Sequence, residues 1–354
     1  MLKDTYGRVH DYLRISLTDV CNFRCQYCIP EENTKFMPSS KLMQTDEIDA
    51  IAKVFVDLGV SKIRLTGGEP LVRKDAKEII RSLSKYPVEL TLTTNGTEVK
   101  EFIHVFKDSG ISSVNVSLDT LDKEKFFRIT KRNLFDKVWK NIHLLIDEGF
   151  HVKVNTVVMR GINDDEIPDF IEWTKAIPVH VRFIEFMPFD GNQWNDGKVF
   201  SYKEILDIAN ANCTFIRMKD AANETAKKFK PYGYEGTFAV ISTMTAPFCS
   251  NCNRLRLTAD GKMKNCLFSK GEADILNALR NGEDIVPVIK QCVTDKAEAL
   301  GGQFEGDYHK IDTSKISNRS MIDIGGVESQ ITNYKLQITN YKLQITNYKL
   351  QVDN

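Results

Sequence analysis

Neither sign of charge prevails in this chain: 48 Lys and Arg stand against 48 Asp and Glu over 354 residues. That balance excludes bulk binding of nucleic acid, which needs a basic surface. It leaves room for a local basic pocket around one anionic ligand. Long apolar runs are also lacking; none approaches the ~18 residues of a membrane span, so no membrane partner is expected. The opening MLKDTYGRVHDYLRIS has no apolar stretch such as a secretory signal carries, and a cytoplasmic location is the expectation. Histidine is sparse: 6 scattered residues, with no His-x-x-x-His pair and no nucleophile–base signature. A hydrolase built on a Ser or Cys triad has no support.

What is present is ordinary in bulk, with 42% hydrophobic and 27% charged residues, as in a soluble globular protein of about two domains, or one barrel with an appendage. Short β-branched runs alternate with stretches of helical period. Strands are predicted over Tyr12–Thr18, Lys62–Thr66, Val88–Thr94, Ser113–Leu118, His151–Val158 and Val179–Met187. Helices are predicted between them over Asp46–Leu58, Lys74–Lys85, Glu98–Ser109, Leu134–Glu148 and Asp164–Lys175. Ile48, Ile51, Ala52, Phe55 and Leu58 share one helical face, with Thr45 as the expected N-cap and Gly59 as the stop. Repeated strand–helix units imply a parallel sheet, either doubly wound or barrel-like, with ligands at the carboxyl ends of its strands. Beyond Phe189 the rhythm changes, and a hairpin is predicted with Arg254–Thr258 and Lys262–Phe268 flanking Ala259-Asp260-Gly261. A second, smaller module is expected there.

Cysteine carries the chemical signal. Cys21-x3-Cys25-x2-Cys28 follows directly on the first strand. Three thiolates in one short loop can converge on an iron–sulfur cluster and leave one iron open to a small molecule. A zinc knot would want a fourth ligand nearby, and no His lies between Tyr12 and Asp46. Cys249-x2-Cys252-x13-Cys266 brackets the predicted hairpin, and zinc is a stronger rival there. Inside that set, Arg254 and Arg256 share a strand face and suit phosphate or carboxylate. Cys213 and Cys292 stand apart as small apolar residues. The glycines of Gly67-Gly68-Glu69-Pro70 let a ligand approach the backbone.

The run Arg14-Ile-Ser-Leu-Thr-Asp-Val-Cys21-Asn-Phe-Arg-Cys25-Gln-Tyr27-Cys28 resembles the opening of radical S-adenosylmethionine (SAM) enzymes. More narrowly, the chain resembles the GTP 3′,8-cyclase family of molybdenum-cofactor biosynthesis from about Asp11 to Gly326. The matching motifs are Arg64-Leu-Thr-Gly-Gly-Glu-Pro, Thr93-Thr-Asn-Gly, Asn115-Val-Ser-Leu-Asp, Lys153-Val-Asn, Phe183-Ile-Glu-Phe-Met187 and Cys249-x2-Cys-Asn-Arg-Leu-Arg with Cys266. The cysteine motif alone specifies only the superfamily; the second set with its internal Asn-Arg-Leu-Arg singles out the family.

The resemblance implies an α/β fold, an incomplete (β/α)6 TIM-like barrel, with a C-terminal α+β extension closing its mouth. It implies a division into a radical SAM partial barrel over residues 1–190, an auxiliary-cluster and GTP-binding region over 191–326, and a repeat tail over 327–354. It implies two [4Fe–4S] clusters, one on Cys21, Cys25 and Cys28 that binds SAM, and one on Cys249, Cys252 and Cys266 that binds substrate. Tyr27, Gly68, Ser117 and Met187 match SAM contacts. Arg14, Arg64, Thr93, Lys153, Arg254 and Arg256 match GTP contacts, the last two with a catalytic role. Expected partners are GTP, an electron donor and a downstream molybdopterin-precursor synthase, with a homodimer left open. Two other readings stay in play: a radical SAM enzyme that modifies peptides, and a non-enzymatic iron–sulfur or zinc protein.

One departure stands out. Arg319-x-Met321-x-x-Ile324-Gly325-Gly326 resembles the family's Gly-Gly ending, yet residues 327–354 follow, with Gln-Ile-Thr-Asn-Tyr-Lys-Leu repeated over Gln330–Leu350. That repeat is read as a mostly disordered expansion whose removal preserves or raises activity.

Overall fold

The computed structural model describes residues 1–28, 36–304, 307–312 and 315–325. The repeat tail and Gly326 lie outside the described residues.

Six strands wind in chain order and in parallel: β1 (Tyr12–Ser16), β2 (Lys62–Thr66), β3 (Glu89–Thr94), β4 (Ser113–Ser117), β5 (His151–Val158) and β6 (His180–Glu185). Each pairs with the next, with Arg14 opposite Arg64 and Asn115 opposite Lys153. A doubly wound sheet reverses its order at a switch point. This sheet has no reversal among these strands, which decides for the barrel-like alternative, and it stays open as a partial barrel.

The helices α1 (Thr45–Asp57), α2 (Ala76–Ser84), α3 (Ile103–Asp108), α4 (Lys123–Thr130), α5 (Phe135–Asp147) and α6 (Ile167–Trp173) alternate with these strands. In α1, Ile48, Ile51, Ala52 and Phe55 are buried as the period requires. Its N-cap is Gln44, not Thr45, because Gln44 and Glu47 form a reciprocal capping box. Thr45 instead donates to Asp75 Oδ2 at 2.8 Å. The helix ends at Gly59, whose φ of 101° an L-residue side chain would resist.

After α6 come α7 (Tyr202–Asn212), β7 (Phe215–Arg217), β8 (Lys227–Pro231), β9 (Thr237–Ile241), β10 (Arg254–Leu257), β11 (Lys262–Lys264), β12 (Ala273–Asp274), α8 (Ile275–Arg280) and α9 (Ile285–Thr294). These strands join the same sheet. β9 pairs in parallel with β6 at one edge, and β10 pairs in parallel with β1 at the other. The order is β12-β11-β10-β1-β2-β3-β4-β5-β6-β9-β8-β7. The hydrogen-bonded ladder therefore runs through the boundary that sequence rhythm puts near residue 190. The chain from β9 to β10 spans the two edges and carries Cys249 and Cys252.

Strand alternation sorts the side chains. Leu13, Ile15, Ile63, Leu65, Val114, Val116, Val152 and Val154 are buried in the main apolar core. The alternate positions Arg14, Arg64, Thr91, Asn115, Lys153, Asn155 and Arg182 are buried on the opposite face, the barrel interior. In most barrels of this class the interior is filled by branched aliphatics. Here it is polar and cationic, and that positions the site. Among the described residues no helix is long and apolar enough to cross a membrane.

Candidate active site

The first cysteine loop leaves β1 and folds against the turn after β2. Gly68 N–H donates to Thr18 O at 2.6 Å and Glu69 N–H to Val20 O at 2.9 Å. A Cβ on Gly67 would lie 2.6 Å from Thr18 O, and one on Gly68 would lie 2.5 Å from Val20 O. Both glycines are thus required by the cysteine loop itself. Cys21, Cys25, Tyr27, Cys28, Gly68, Thr93 and Ser117 line one cavity. Among the described residues no Lys or Arg lines it, and the one charged side chain there is Asp119. Burial raises the Asp119 carboxyl to about 6, and Tyr27 Oη donates to Asp119 Oδ2 at 2.6 Å.

Glu69 is fully buried beside this loop, and sequence reasoning did not select it. Its carboxylate accepts from Thr94 Oγ1 at 2.7 Å, Asn95 N at 2.6 Å and Leu71 N at 3.1 Å. Burial outweighs those bonds and raises it to about 7. The signal was its place in the Gly-Gly-Glu-Pro turn.

The thiols here resist ionisation. Burial, aided by Glu69, pushes Cys21 up to about 11. Burial also raises Cys25 and Cys28, assisted by Asp119 and by the neighbouring thiols. Three thiols that raise one another's pKa are close together, and a positive centre that replaces their protons relieves the strain. Among the described residues no three His, Cys, Asp or Glu side chains converge as a single ion requires. Cluster ligands bind separate irons and need no such convergence. The donor set fits an iron–sulfur cluster.

The second set meets in another cavity, lined by Cys249, Cys252 and Cys266 together with Arg254 and Arg256. Burial pushes the Cys252 thiol up, but Lys296 and Arg254 overcome it and bring it to about 5. Arg254 Nη2 donates to Cys252 Sγ at 3.7 Å, and its guanidinium lies 4.8 Å from the Phe248 ring centroid.

Between the two sets runs the basic interior. Strand register puts Arg256 of β10, Arg14 of β1 and Arg64 of β2 side by side. Tyr12 softens their repulsion: Arg64 Nε donates to its hydroxyl at 2.5 Å, and Arg14 and Lys62 lie over its ring. Burial lowers the Lys153 ammonium well below its usual range, and Arg182, Arg64 and Lys62 lower it further. Sequence reasoning missed Lys62 and Arg182. Their signal was alternation, since Lys62 is two residues from Arg64 on β2 and Arg182 two from His180 on β6.

One apolar cluster joins the sites. Phe186, Met187, Phe268, Leu300, Met321 and Ile324 form its buried part, with Tyr27, Cys28, Cys249 and Cys266 packed against it. Met187 belongs to this cluster and is not among the residues lining the first cavity. Met321, Ile322 and Gly325 do line that cavity, so the C-terminal segment enters it. Arg319 anchors the segment by two bonds to Asp260, at 2.8 and 2.9 Å, and one to Glu272 at 2.7 Å.

Known families match this division of labour. The radical SAM superfamily model matches residues 15–174, and the molybdenum cofactor synthesis C model matches 179–301. An Arabidopsis thaliana protein named GTP 3′,8-cyclase, mitochondrial, is 47% identical over 333 residues, which is 92% of this chain and 84% of the relative. The chain belongs to the GTP 3′,8-cyclase family. The Listeria monocytogenes GTP 3′,8-cyclase is 38% identical over 92% of this chain and 99% of its own length. The human molybdenum cofactor biosynthesis protein 1 is 44% identical over 91% of this chain, which spans only 50% of that longer protein. Streptococcus suis SuiB bound to S-adenosylmethionine superposes with a TM-score of 0.58 at 14% identity, over 82% of this chain and 69% of that one. At that identity the likeness shows the fold alone. Membership makes the cofactors two [4Fe–4S] clusters and SAM, and it resolves the zinc alternative for the second set in favour of iron.

Proposed function

We propose that this chain converts GTP to 3′,8-cyclo-7,8-dihydro-GTP by radical SAM chemistry, the first step of molybdenum-cofactor biosynthesis. The observation that carries this reading is the buried cationic barrel interior, formed by Arg14, Lys62, Arg64, Lys153, Arg182 and Arg256. It lies between a three-thiol cavity with no lining cation among the described residues and a three-thiol cavity with two arginines. Lys62 already pairs with Glu89 Oε1 at 2.7 Å, and a neutral protein that still gathers this many buried cations in one place suits an anionic ligand. A nucleoside triphosphate is such a ligand.

In this reading Cys21, Cys25 and Cys28 hold the cluster that binds SAM, and Cys249, Cys252 and Cys266 hold the one that meets the substrate base. When bound, the first cluster supplies one electron to SAM, which splits into methionine and a 5′-deoxyadenosyl radical able to take the ribose 3′ hydrogen. The chain's own part is to bind, orient and exclude water. Arg14, Arg64, Lys153 and Arg182 neutralise the triphosphate, with Thr93 at the mouth between them and the first cavity. Arg254 and Arg256 hold the nucleotide against the second cavity, the role that makes them catalytic. Tyr27, Gly68 and Ser117 bound the SAM cavity, and Met187 backs Tyr27 from the apolar cluster. That cluster and the segment through Gly325 keep water away from a reactive radical.

The reaction needs an electron donor, and its cyclic product suits a downstream synthase that completes the pterin precursor. We also propose a cytoplasmic setting, where thiols stay reduced, and leave a homodimer open. The test is SAM cleavage by anaerobically reconstituted protein. Formation of 5′-deoxyadenosine is expected only with GTP present; cleavage indifferent to GTP would reduce the assignment to the superfamily.

A further inference from the structure

The segment after α9 touches the second cysteine set at two sulfurs. Lys296 is 3% exposed. Its ammonium donates to Cys252 Sγ at 3.6 Å and to Arg254 O at 3.0 Å. Four residues on, Leu300 N–H donates to Cys249 Sγ at 3.4 Å. One short strap therefore aims two N–H groups at two ligand sulfurs.

The strap is itself tied down from the other end of the chain. Arg8 Nη1 donates to Cys249 O at 2.9 Å and to Glu298 O at 2.6 Å, and Nη2 donates to Ala297 O at 2.9 Å. Its Nε donates to Asp4 Oδ2 at 2.5 Å, and the same carboxylate oxygen meets His10 Nε2 at 3.0 Å. Asp4 and His10 are buried, and Arg8 nearly so. Asn253 Nδ2 donates to Asp11 Oδ1 at 2.5 Å, a further tie between this N-terminal segment and the cysteine loop. Lysine and arginine are rarely buried unless paired. A buried lysine whose donors go to a thiol and a carbonyl pays a desolvation cost that no nearby carboxylate bond offsets.

Resting on the reading of Cys249, Cys252 and Cys266 as cluster ligands, we propose that Lys296 and Arg8 are positioning residues for the second cluster. Lys296 donates to a ligand sulfur and places a positive charge beside the cluster. Arg8 clamps the strap that carries Lys296 to the backbone of Cys249. Hydrogen bonds to ligand sulfurs and nearby positive charge favour the more negative, reduced cluster, and so raise its potential.

The test uses the full chain reconstituted anaerobically, with iron and sulfide measured per chain and both cluster potentials followed by EPR-monitored titration. Lys296→Met keeps the length and the apolar stem but removes the donor and the charge. It is expected to shift the second cluster's potential negative, leave the first cluster's unchanged, and be rescued by Lys296→Arg. Arg8→Gln is expected to lose one cluster's worth of iron and sulfide while the first cluster still binds SAM. An unchanged second potential in Lys296→Met overturns the proposal. So does loss of both clusters together in either variant, which marks a role in folding alone. If the wild-type chain itself carries zinc at the second site, the underlying cluster assignment fails instead, and the two failures are told apart before any variant is made.

Discussion

Asp119 and Glu69 act on the thiols of Cys21, Cys25 and Cys28, with Arg24 opposing them only at Cys21, whereas Lys296 and Arg254 dominate at Cys252 of the second set. The donors are the same, though the spacings differ, x3 and x2 in the first set against x2 and x13 in the second. Around the first set, Asp119 and Glu69 help burial to raise the thiols. Around the second, Lys296 and Arg254 pull Cys252 down to about 5 against burial. The ligands divide in the same way. SAM is a cation at its sulfur, and it suits the loop whose cavity has no lysine or arginine among the described residues. GTP is a polyanion, and it suits the side where Arg254, Arg256 and the basic interior gather. Field, more than ligand count, tells these two open clusters apart.

The comparison breaks most severely on ligand removal. Cys21→Ser should abolish 5′-deoxyadenosine formation and remove one cluster's iron, leaving the second cluster's EPR signal in place. Cys249→Ser should do the converse, keeping SAM binding while cyclisation disappears. If either change strips both clusters, the sites are one folding unit and the contrast of fields has no independent meaning.

Next in size is Arg256→Ala. Arg256 is 4% exposed, beside Arg14 in register. Truncating one partner of a buried charged contact costs roughly 2–5 kcal/mol, so GTP affinity should fall by about 30-fold or more. SAM affinity should change by less than about 2-fold, since distant sites act independently. Calorimetric titration of each ligand checks both numbers. A parallel loss of SAM affinity would show that the two fields are not separable.

Much of this architecture was legible beforehand, for stated reasons. Period-two runs such as Lys62–Thr66 and His151–Val158 became strands with those bounds. The first five helices expected all form, though Asp164–Lys175 begins with a 3-10 turn over Asp164–Glu166. The helix α4 escaped because Lys123–Thr130 is short and polar, with Phe127 half exposed. Which strands pair was not legible, because pairing is non-local. Nothing in Arg254-Leu-Arg-Leu says that it lies beside Tyr12-Leu-Arg-Ile rather than only against its own hairpin partner. That pairing is what brings Arg256 to Arg14 and completes the basic interior. From sequence, the glycines of the Gly-Gly-Glu-Pro turn suggest room for a ligand. The distances to Thr18 O and Val20 O correct this: the neighbouring backbone of the cysteine loop takes that space.

Gly325→Ala should have a smaller and one-sided effect. Gly325 has φ 81°, and a Cβ there would lie 2.7 Å from Thr66 Oγ1 and 2.9 Å from Ser16 Cβ. A left-handed conformation and a clash at rigid strand ends cost roughly 1–3 kcal/mol, enough to displace the segment from the first cavity. Turnover should drop by about 10-fold while GTP affinity holds within about 2-fold. Equal losses at both ligands would mean that the segment serves the two sites alike.

The mildest test uses pH, and its sign follows from Lys153. Burial, then Arg182, Arg64 and Lys62, holds that ammonium well below its usual range. A triphosphate beside it favours the charged form and raises its pKa again. Binding GTP therefore takes up a proton at pH values between the free-state and the bound-state pKa, and over that window affinity falls as pH rises, by at most about 10-fold per unit. Calorimetry in buffers of different ionisation enthalpy measures the proton uptake directly. Lys153→Met should weaken binding and flatten the slope, since the titrating group is gone. In the proposed reading SAM occupies the cavity that no lysine lines among the described residues, and its binding should not share the slope. If SAM affinity falls with pH in step with GTP affinity, the proton belongs to a group common to both sites. The barrel interior would then have to be treated as one electrostatic unit, with its acidic and basic ends titrating together.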